Sequence, residues 1–185
     1  VCGSHDDLMF FTDTGRVFVK KAYEVPEASR TSAGRSVRQL LELKENESIV
    51  SMLALEDFRG SEQSPSGDLF FATRSGRVKR SALSEYKNIN RSGLIALNLN
   101  DGDALIGVVR TETNDHVLLA TEGGMAIRFQ ATDARSMGRS AAGVKGMDLA
   151  KDDSIIGLIR VNPEADLLSV TENGYGKRTS LHEYL

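Results

Sequence analysis

The sequence contains few side chains that could act as acid–base or nucleophilic catalysts, and their spacing does not suit that chemistry. The histidines share no motif with a serine or cysteine nucleophile, and they are His5, His116 and His182. Two acidic pairs could hold a metal, but both recur at one position of a repeated pattern, which indicates turns: Asp101/Asp103 and Asp152/Asp153. The single cysteine, Cys2, can form no internal disulfide and has no partners for a zinc site. We therefore predict no catalytic residue, no metal site and no cofactor in this segment.

Basic side chains, which bind phosphate, are concentrated in three blocks of the sequence. Residues 14–38 contain six basic and two acidic residues. Residues 74–91 contain six basic residues and one acidic residue, and residues 123–145 contain four basic residues and one acidic residue. We predict that these cations, with two more near the C-terminal end, contact a polyanion such as DNA. The candidate contacts are Arg16, Lys20, Lys21, Arg30, Arg35, Arg38, Arg74, Arg77, Lys79, Arg80, Lys87, Arg91, Arg128, Arg135, Arg139, Lys145, Lys177 and Arg178.

Acidic residues are concentrated in the segments between the basic blocks. Residues 42–57 contain five acidic residues and one basic residue, residues 101–116 contain four and one, and residues 148–166 contain five and two. The formal net charge of −3, from 23 basic and 26 acidic residues, therefore conceals an alternation of sign. If the repeats stack, the basic blocks align along one edge as a continuous positive stripe.

The loops inside the basic blocks are rich in Gly, Ser and Arg, at residues 30–36, 88–93 and 137–146. Small residues let the backbone approach a phosphate closely. The nucleotide-binding pattern G-x-x-x-x-G-K-[ST] is absent, and aromatic residues, at 6%, do not alternate with the basic ones. No segment resembles a DNA recognition helix. The predicted partner is double-stranded DNA that is contacted through its phosphates, largely independently of sequence, and bent.

Two recurring patterns define the elements that must position these loops. The first pattern consists of an apolar run, a Thr, two further residues, a Gly and a second apolar run. It occurs four times, around Gly15, Gly76, Gly124 and Gly174, and these glycines are 61, 48 and 50 residues apart. The polar stretch 56–67 accounts for the longer first interval. A second pattern, an apolar alternation interrupted by an acidic turn, occupies residues 41–55, 97–109 and 147–161 and predicts a further hairpin in each unit.

A four-stranded unit repeated every ~50 residues is typical of the blades of propeller-like proteins. We predict an all-β array that is incomplete, with about three blades and the start of a fourth. The predicted units are residues 1–67, 68–115, 116–165 and 166–185 of one domain. The first residue is not Met, so we expect a piece of a longer chain. No apolar run approaches the ~18 residues of a membrane span, and we predict a cytoplasmic protein without a membrane partner.

Four segments carry a resemblance to a known family, and they follow its blades in order over nearly the whole chain. They are residues 10–30 (FFTDTGRVFVKKAYEVPEASR), 86–108 (YKNINRSGLIALNLNDGDALIGV), 137–159 (MGRSAAGVKGMDLAKDDSIIGLI) and 171–184 (TENGYGKRTSLHEY). These segments resemble the C-terminal DNA-wrapping domain of the DNA gyrase A subunit, in the type IIA topoisomerase family. By this resemblance they are the second to fourth blades and the opening of the fifth.

The resemblance implies a β-pinwheel, a propeller-like disc whose neighbouring blades exchange strands. It also implies a basic outer rim that wraps duplex DNA with positive handedness and so supports ATP-dependent negative supercoiling by a bacterial, nucleoid-associated isomerase. The implied partners are the gyrase B subunit and a second copy of the gyrase A subunit, and the implied holoenzyme uses ATP and Mg. The resemblance places the catalytic parts of that enzyme outside this segment.

One departure from the family keeps alternatives open. The motif Q-R-R-G-G-K-G, which belongs to the first blade, is absent from this sequence. The equivalent domain of the topoisomerase IV A subunit is therefore an alternative, although residues 24–30 (EVPEASR) and 173–178 (NGYGKR) favour gyrase. A propeller-type protein-interaction scaffold is a third hypothesis, and it predicts binding that is insensitive to salt.

Overall fold

The computed structural model describes residues 2–56, 58 and 66–184, and their regular elements are β-strands and short 3-10 helices. The strands are β1 (Asp7–Thr12), β2 (Arg16–Lys21), β3 (Ile49–Leu55), β4 (Asp68–Thr73), β5 (Arg77–Ala82), β6 (Leu94–Ile95), β7 (Leu105–Thr111), β8 (His116–Thr121), β9 (Ala126–Gln130), β10 (Val144–Lys145), β11 (Ile155–Arg160), β12 (Asp166–Val170) and β13 (Gly176–Ser180). The 3-10 helices are Ala22–Glu24, Val37–Gln39, Leu83–Tyr86, Ala131–Asp133 and Leu181–Glu183. Most of the predicted extra loop 56–67 lies outside the described residues.

The strands form four antiparallel sheets, which confirms the predicted all-β, propeller-like fold. Their orders are β3-β1-β2-β6, β10-β5-β4-β7, β11-β8-β9 and β12-β13. In each sheet two consecutive strands form a tight hairpin, and in the first three sheets a later strand of the same unit returns to pair with the first strand of that hairpin. No helix among the described residues is long and apolar enough to cross a membrane.

The hairpin turns are built on the recurring glycines that the sequence singles out. Gly15 has a φ of 79°, a conformation that is strained for residues with a Cβ atom, and its N–H donates to the carbonyl of Thr12 at 3.0 Å. A Cβ atom on Gly15 would also lie 2.5 Å from the backbone oxygen of Leu97, which belongs to the second unit. The turn glycine is therefore required both by the hairpin and by the close approach of the neighbouring unit.

The prediction of a second hairpin in each unit is wrong in its first arm. Residues 97–100 are not a strand, because the chain there crosses to the preceding unit. The N–H groups of Ala96 and Leu97 both donate to the carbonyl of Gly15, at 2.8 and 3.2 Å, and Gly146 and Met147 repeat this arrangement at Gly76. The short strands β6 and β10 pair with β2 and β5 of the preceding unit. The fourth strand of each of the first two sheets thus comes from the next unit along the chain.

Among the described residues, three hydrophobic clusters lie between successive units, and a fourth, around Leu8 and Phe10, lies within the first unit. One cluster joins Met9 and Phe11 of β1 to Leu69 and Phe71 of β4, with the rings of Phe11 and Phe71 in edge-to-face contact at 5.8 Å. A second cluster joins the opposite face of β4 to β8, and a third joins β8 to Leu181. The return strands also pack in series, β3 against β7 and β7 against β11. These strands define one edge of the array, and the exchanged strands β6 and β10 lie at the opposite edge of their sheets.

Candidate nucleic-acid interface

Three loops each follow a 3-10 helix, and two of them lead to the outer edge of the array, which we define as the edge that carries β6 and β10. We call them basic loop 1 (residues 25–36), basic loop 2 (87–93) and basic loop 3 (134–143). In basic loops 2 and 3 the chain enters an exchanged strand directly after the loop. The three loops contain a third of the predicted contacts: Arg30, Arg35, Lys87, Arg91, Arg135 and Arg139.

Most of the loop-borne cations reach solvent. Arg30, Arg35, Arg91 and Arg135 are exposed, while Arg139 and Lys87 are half-buried. The Arg91 side chain is 83% exposed, and its ion pair with Glu42, at 3.6 Å, is of the surface type that holds a side chain weakly. These four exposed guanidinium groups can therefore turn toward a phosphate at small energetic expense.

Cations on the second strand of each hairpin have a different environment, because most of them are bonded to the protein itself. Arg80 pairs with Asp68 at 2.7 Å, and Lys21 pairs with Asp7 at 3.0 Å. Arg128 donates to the carbonyl oxygen of Leu181 at 2.9 Å, which lies in the fourth unit. The remaining predicted contacts on these strands are Arg16, Lys20, Arg77, Lys79, Lys177 and Arg178.

The other three predicted contacts lie apart from both groups. Arg74 is exposed at the hairpin turn after β4, and Lys145 is exposed on β10, where it pairs with Asp148. Arg38 belongs to the 3-10 helix Val37–Gln39 and donates to the carbonyl of Lys44 at 2.8 Å. The predicted contacts therefore do not form one patch, and the exposed ones tied to the outer edge are those of basic loops 2 and 3, with Lys145 on β10.

Lys79 is the extreme case, because its side chain is fully buried. Its Nζ donates to the carbonyl of Ala96 at 2.7 Å and to that of Arg139, and it lies 5.2 Å from the centre of the Phe71 ring. Burial, with the nearby Arg139 charge, lowers the pKa of Lys79 from 10.5 to about 8, although Glu85 opposes the shift. Such a group is shielded from an external phosphate.

The acidic turns are hydrogen-bonded to the hairpin turns. Burial would raise the pKa of Glu47, but hydrogen bonds from the Lys44 backbone and from the hydroxyls of Thr14 and Thr12, with the Arg16 charge, hold it below 4.5. In the second unit Asp103 accepts from the N–H and hydroxyl of Ser75, at 2.9 and 2.6 Å. Among the described residues, no group of three or more His, Cys, Asp or Glu side chains could hold a metal ion.

Sequence reasoning missed Ser81, whose hydroxyl donates to the carbonyl of Met137 in basic loop 3 at 2.7 Å. It also treated Lys79 as a surface cation. A signal was present, because Lys79 is the third residue after its turn glycine, the position that the buried Phe18 occupies in the first unit. An apolar residue at an equivalent position indicates an inward-facing site, at which a lysine must find partners inside the protein.

The chain is similar to a known protein family and to known sequences. The family described as "DNA gyrase C-terminal domain, beta-propeller" matches residues 6–56, 67–112, 115–162 and 165–185. The DNA gyrase A subunit of Clostridium acetobutylicum is 49% identical over 184 residues, and that of Salmonella typhimurium is 43% identical over 184 residues. Both alignments cover 100% of this chain but only 22% and 20% of the relatives, so the chain spans about a fifth of their length.

Solved structures give the same fold. The C-terminal domain of DNA topoisomerase IV superposes with a TM-score of 0.85 at 27% identity, over 98% of this chain and 55% of that one. The DNA gyrase A C-terminal domain superposes with a TM-score of 0.80 at 26% identity, over 98% of this chain and 57% of that one. With the family match extending over most of its residues, the chain belongs to the family of DNA gyrase C-terminal, propeller-like domains.

Proposed function

We propose that this chain is a non-catalytic module that binds duplex DNA and bends it around the outer edge of the array. The observation that carries the proposal is the position of the three basic loops. Basic loops 2 and 3, which carry the exposed Arg91 and Arg135, lead directly into exchanged strands at the edge opposite to the return strands. Basic loop 1, which carries the exposed Arg35, follows the corresponding 3-10 helix of the first unit. Cations repeated along one edge of stacked units suit a polyanion that follows that edge, because each neutralised phosphate releases counterions.

The wider role of the module rests on the family and on its relatives. We propose that it belongs to a bacterial gyrase A subunit, in which wrapping of DNA supports ATP-dependent negative supercoiling with the B subunit and a second copy of the gyrase A subunit. The similarity to gyrase A subunits over the full length of this chain supports this assignment. The equivalent domain of topoisomerase IV is the second candidate, and the TM-score of 0.85 to its C-terminal domain favours it.

The first test measures the salt dependence of DNA binding. Fluorescence anisotropy of a labelled duplex, titrated with the chain at several NaCl concentrations, gives the slope of log K against log salt. The double variant Arg91→Ala/Arg135→Ala should make that slope shallower by about 0.9 for each phosphate that is no longer bound. The matched control is Lys44→Ala/Lys151→Ala, which removes two exposed lysines outside the basic loops and should leave the slope unchanged. A salt-insensitive affinity would refute phosphate contact and favour a protein-interaction scaffold.

The second test measures wrapping directly. A nicked circular plasmid is incubated with the chain, ligated and freed of protein, and its linking number is compared with that of a plasmid ligated alone. A wrap of positive handedness raises the linking number in proportion to bound chain. Binding without any change in linking number would contradict wrapping and leave only the DNA-binding part of the proposal. A comparison of the two activities of the complete enzyme then separates the two assignments. Negative supercoiling supports the gyrase assignment, and decatenation without negative supercoiling supports the topoisomerase IV assignment.

A further inference from the structure

Strand β5 carries a row of side-chain donors that all face basic loop 3 of the next unit. The Nε of Arg80 donates to the carbonyl of Ala134 at 2.8 Å, and the hydroxyl of Ser81 donates to that of Met137 at 2.7 Å. Lys79 donates to the carbonyl of Arg139, and Arg77 donates to those of Ala142, at 3.2 Å, and Gly143. Four side chains of one strand thus bind five carbonyl groups, which are spread along the ten residues of basic loop 3.

The backbone of β5 reinforces these contacts. Met137 donates its N–H to the carbonyl of Arg80 at 2.8 Å, and Gly146 donates its N–H to that of Gly76 at 2.8 Å. Between them, Val144 pairs with Val78 in the exchanged strand. Basic loop 3 is therefore attached to the preceding unit from its first residues to its last.

An irregular loop needs such partners, because it has no strand ladder to bind its own carbonyl groups. A carbonyl turned away from water and left unpaired is unfavourable, whereas bonds from charged donors are stronger than those between neutral groups. Ordering the loop before the ligand arrives also removes an entropic penalty from binding. The donor row therefore stabilises one conformation of the loop that carries Arg135.

Basic loop 2 has a different anchor. Arg16 of β2 donates to the carbonyl of Ser92, as Arg77 does to basic loop 3. However, the positions equivalent to Lys79 and Arg80, counted from the turn glycine, are Phe18 and Val19 in the first unit, and these side chains have no donor. The third unit keeps one member of the row, because Arg128, at the position equivalent to Arg80, donates to the carbonyls of Leu181 and Tyr184 of the fourth unit at 2.9 and 3.3 Å. Among the described residues, the row of four donors lies at the junction between the second and third units.

We propose that Lys79, Arg80 and Ser81, with Arg77, are positioning residues that hold basic loop 3 of the following unit in its DNA-binding conformation. They act on DNA through the loop and do not touch phosphate themselves. This inference rests on the proposed DNA-binding function. It also implies that reversing the charges of Arg77, Lys79 and Arg80 would disturb the junction between the two units, because the reversed side chains would face backbone carbonyl groups.

The test compares a positioning variant with a contact variant in the same binding assay. Ser81→Ala removes one hydrogen bond to the loop and should weaken DNA binding about fivefold, with the salt slope unchanged, because every phosphate-binding side chain remains. Ser81→Thr keeps the hydroxyl, and threonine occupies the equivalent position in the fourth unit as Thr179, so this variant should bind like the parent chain. Arg135→Ala should instead make the slope shallower by about 0.9.

Hydrogen exchange of residues 134–143 provides a second readout that does not depend on DNA. Ser81→Ala should exchange faster than the parent chain in this loop only, while Ser81→Thr and Arg135→Ala should not. If Ser81→Ala leaves both the exchange and the affinity unchanged, or lowers the salt slope as Arg135→Ala does, the positioning role is refuted while DNA binding stands. If the parent chain itself binds no duplex DNA, the proposed function fails, and with it the DNA-binding role assigned to the loop. Faster exchange in Ser81→Ala would then support only the structural attachment.

Discussion

Replacement of Glu47 by Gln should destabilise the first unit more than any exposed acidic substitution. The Glu47 carboxylate accepts hydrogen bonds from Thr12 and Thr14 at 2.7 Å, from the Lys44 backbone at 2.8 Å and from Arg16 at 2.7 Å. Its side chain is fully buried, whereas that of Arg16 is 15% exposed. The glutamine amide keeps one acceptor oxygen but lacks the negative charge, and its NH₂ group faces groups that are themselves hydrogen-bond donors.

The expected cost follows from these contacts. Removing one partner of a buried ion pair costs roughly 3–5 kcal/mol. Because Arg16 retains some solvent and a hydrogen bond to Ser92, we expect the lower end. A loss of about 3 kcal/mol lowers the Tm of a chain of this size by about 6–12 °C. The assay is urea unfolding followed by far-UV circular dichroism, and the control is Glu45→Gln, an exposed neighbour that should change stability by less than about 0.5 kcal/mol.

The pH dependence gives an independent check of the same reasoning. Because the folded-state pKa of Glu47 is lower than 4.5, its stabilisation is fully present above pH 4.5 and is lost as the pH falls through the lowered value. The difference in stability between the parent chain and Glu47→Gln should therefore shrink in acid. The reasoning is refuted if Glu47→Gln and Glu45→Gln are equally stable at pH 7, or if the difference stays constant as the pH falls.

Three further predictions concern the second unit and its junction with the third unit. Gly143→Ala should lower the free energy of unfolding in urea by about 2 kcal/mol or more, because φ is 81° at this residue and a Cβ atom would lie 2.5 Å from the carbonyl oxygen of Val78. A variant as stable as the parent chain would contradict the geometry of the strand exchange. Lys79 should titrate near pH 8 by NMR. Between pH 8 and 10.5 the lysine is deprotonated in the folded chain but still protonated in the unfolded chain, so the free energy of unfolding should rise with pH. The variant Lys79→Met should not show this rise. Tyr86→Phe should cost only about 1 kcal/mol, because Ala96 keeps its bond from Lys79, and a much larger loss would show that the tyrosine hydroxyl is essential.

The local parts of the fold could be predicted from the sequence, because their causes are local. Gly15 and Gly174 have the positive φ that the repeated Thr-x-x-Gly pattern predicts, and each closes a hairpin onto its threonine. The sequence also predicts correctly that the acidic residues that interrupt the second apolar pattern lie in turns, as Asp101 and Asp152 do. What the pattern missed is that these acids are bonded to the hairpin turn, as Asp153 is to the N–H of Gly123 at 2.9 Å.

The exchanged strands could not be derived from the repeat, because a period-2 pattern shows that a segment is extended but not which sheet it joins. Leu97 and Leu99 alternate with polar residues as strand residues do, yet the Leu97 N–H binds Gly15 of another unit. Only the resemblance predicted an exchange. Prediction of the candidate site met the same limit. A count of basic residues does not distinguish Arg135, which is exposed, from Lys79, which is buried by its neighbours.

The exchange of strands also sets an order in which the chain can be completed during synthesis. Strand β5 ends at Ala82, but its edge partner β10 begins at Val144. At typical rates of translation, the ~60 residues between them take about 3–12 s to make. During that interval the backbone edge of β5 is unpaired and can join another nascent chain. The first and second units therefore depend on the ribosome having made the unit that follows, and slow translation of residues 83–145 should favour aggregation on polysomes.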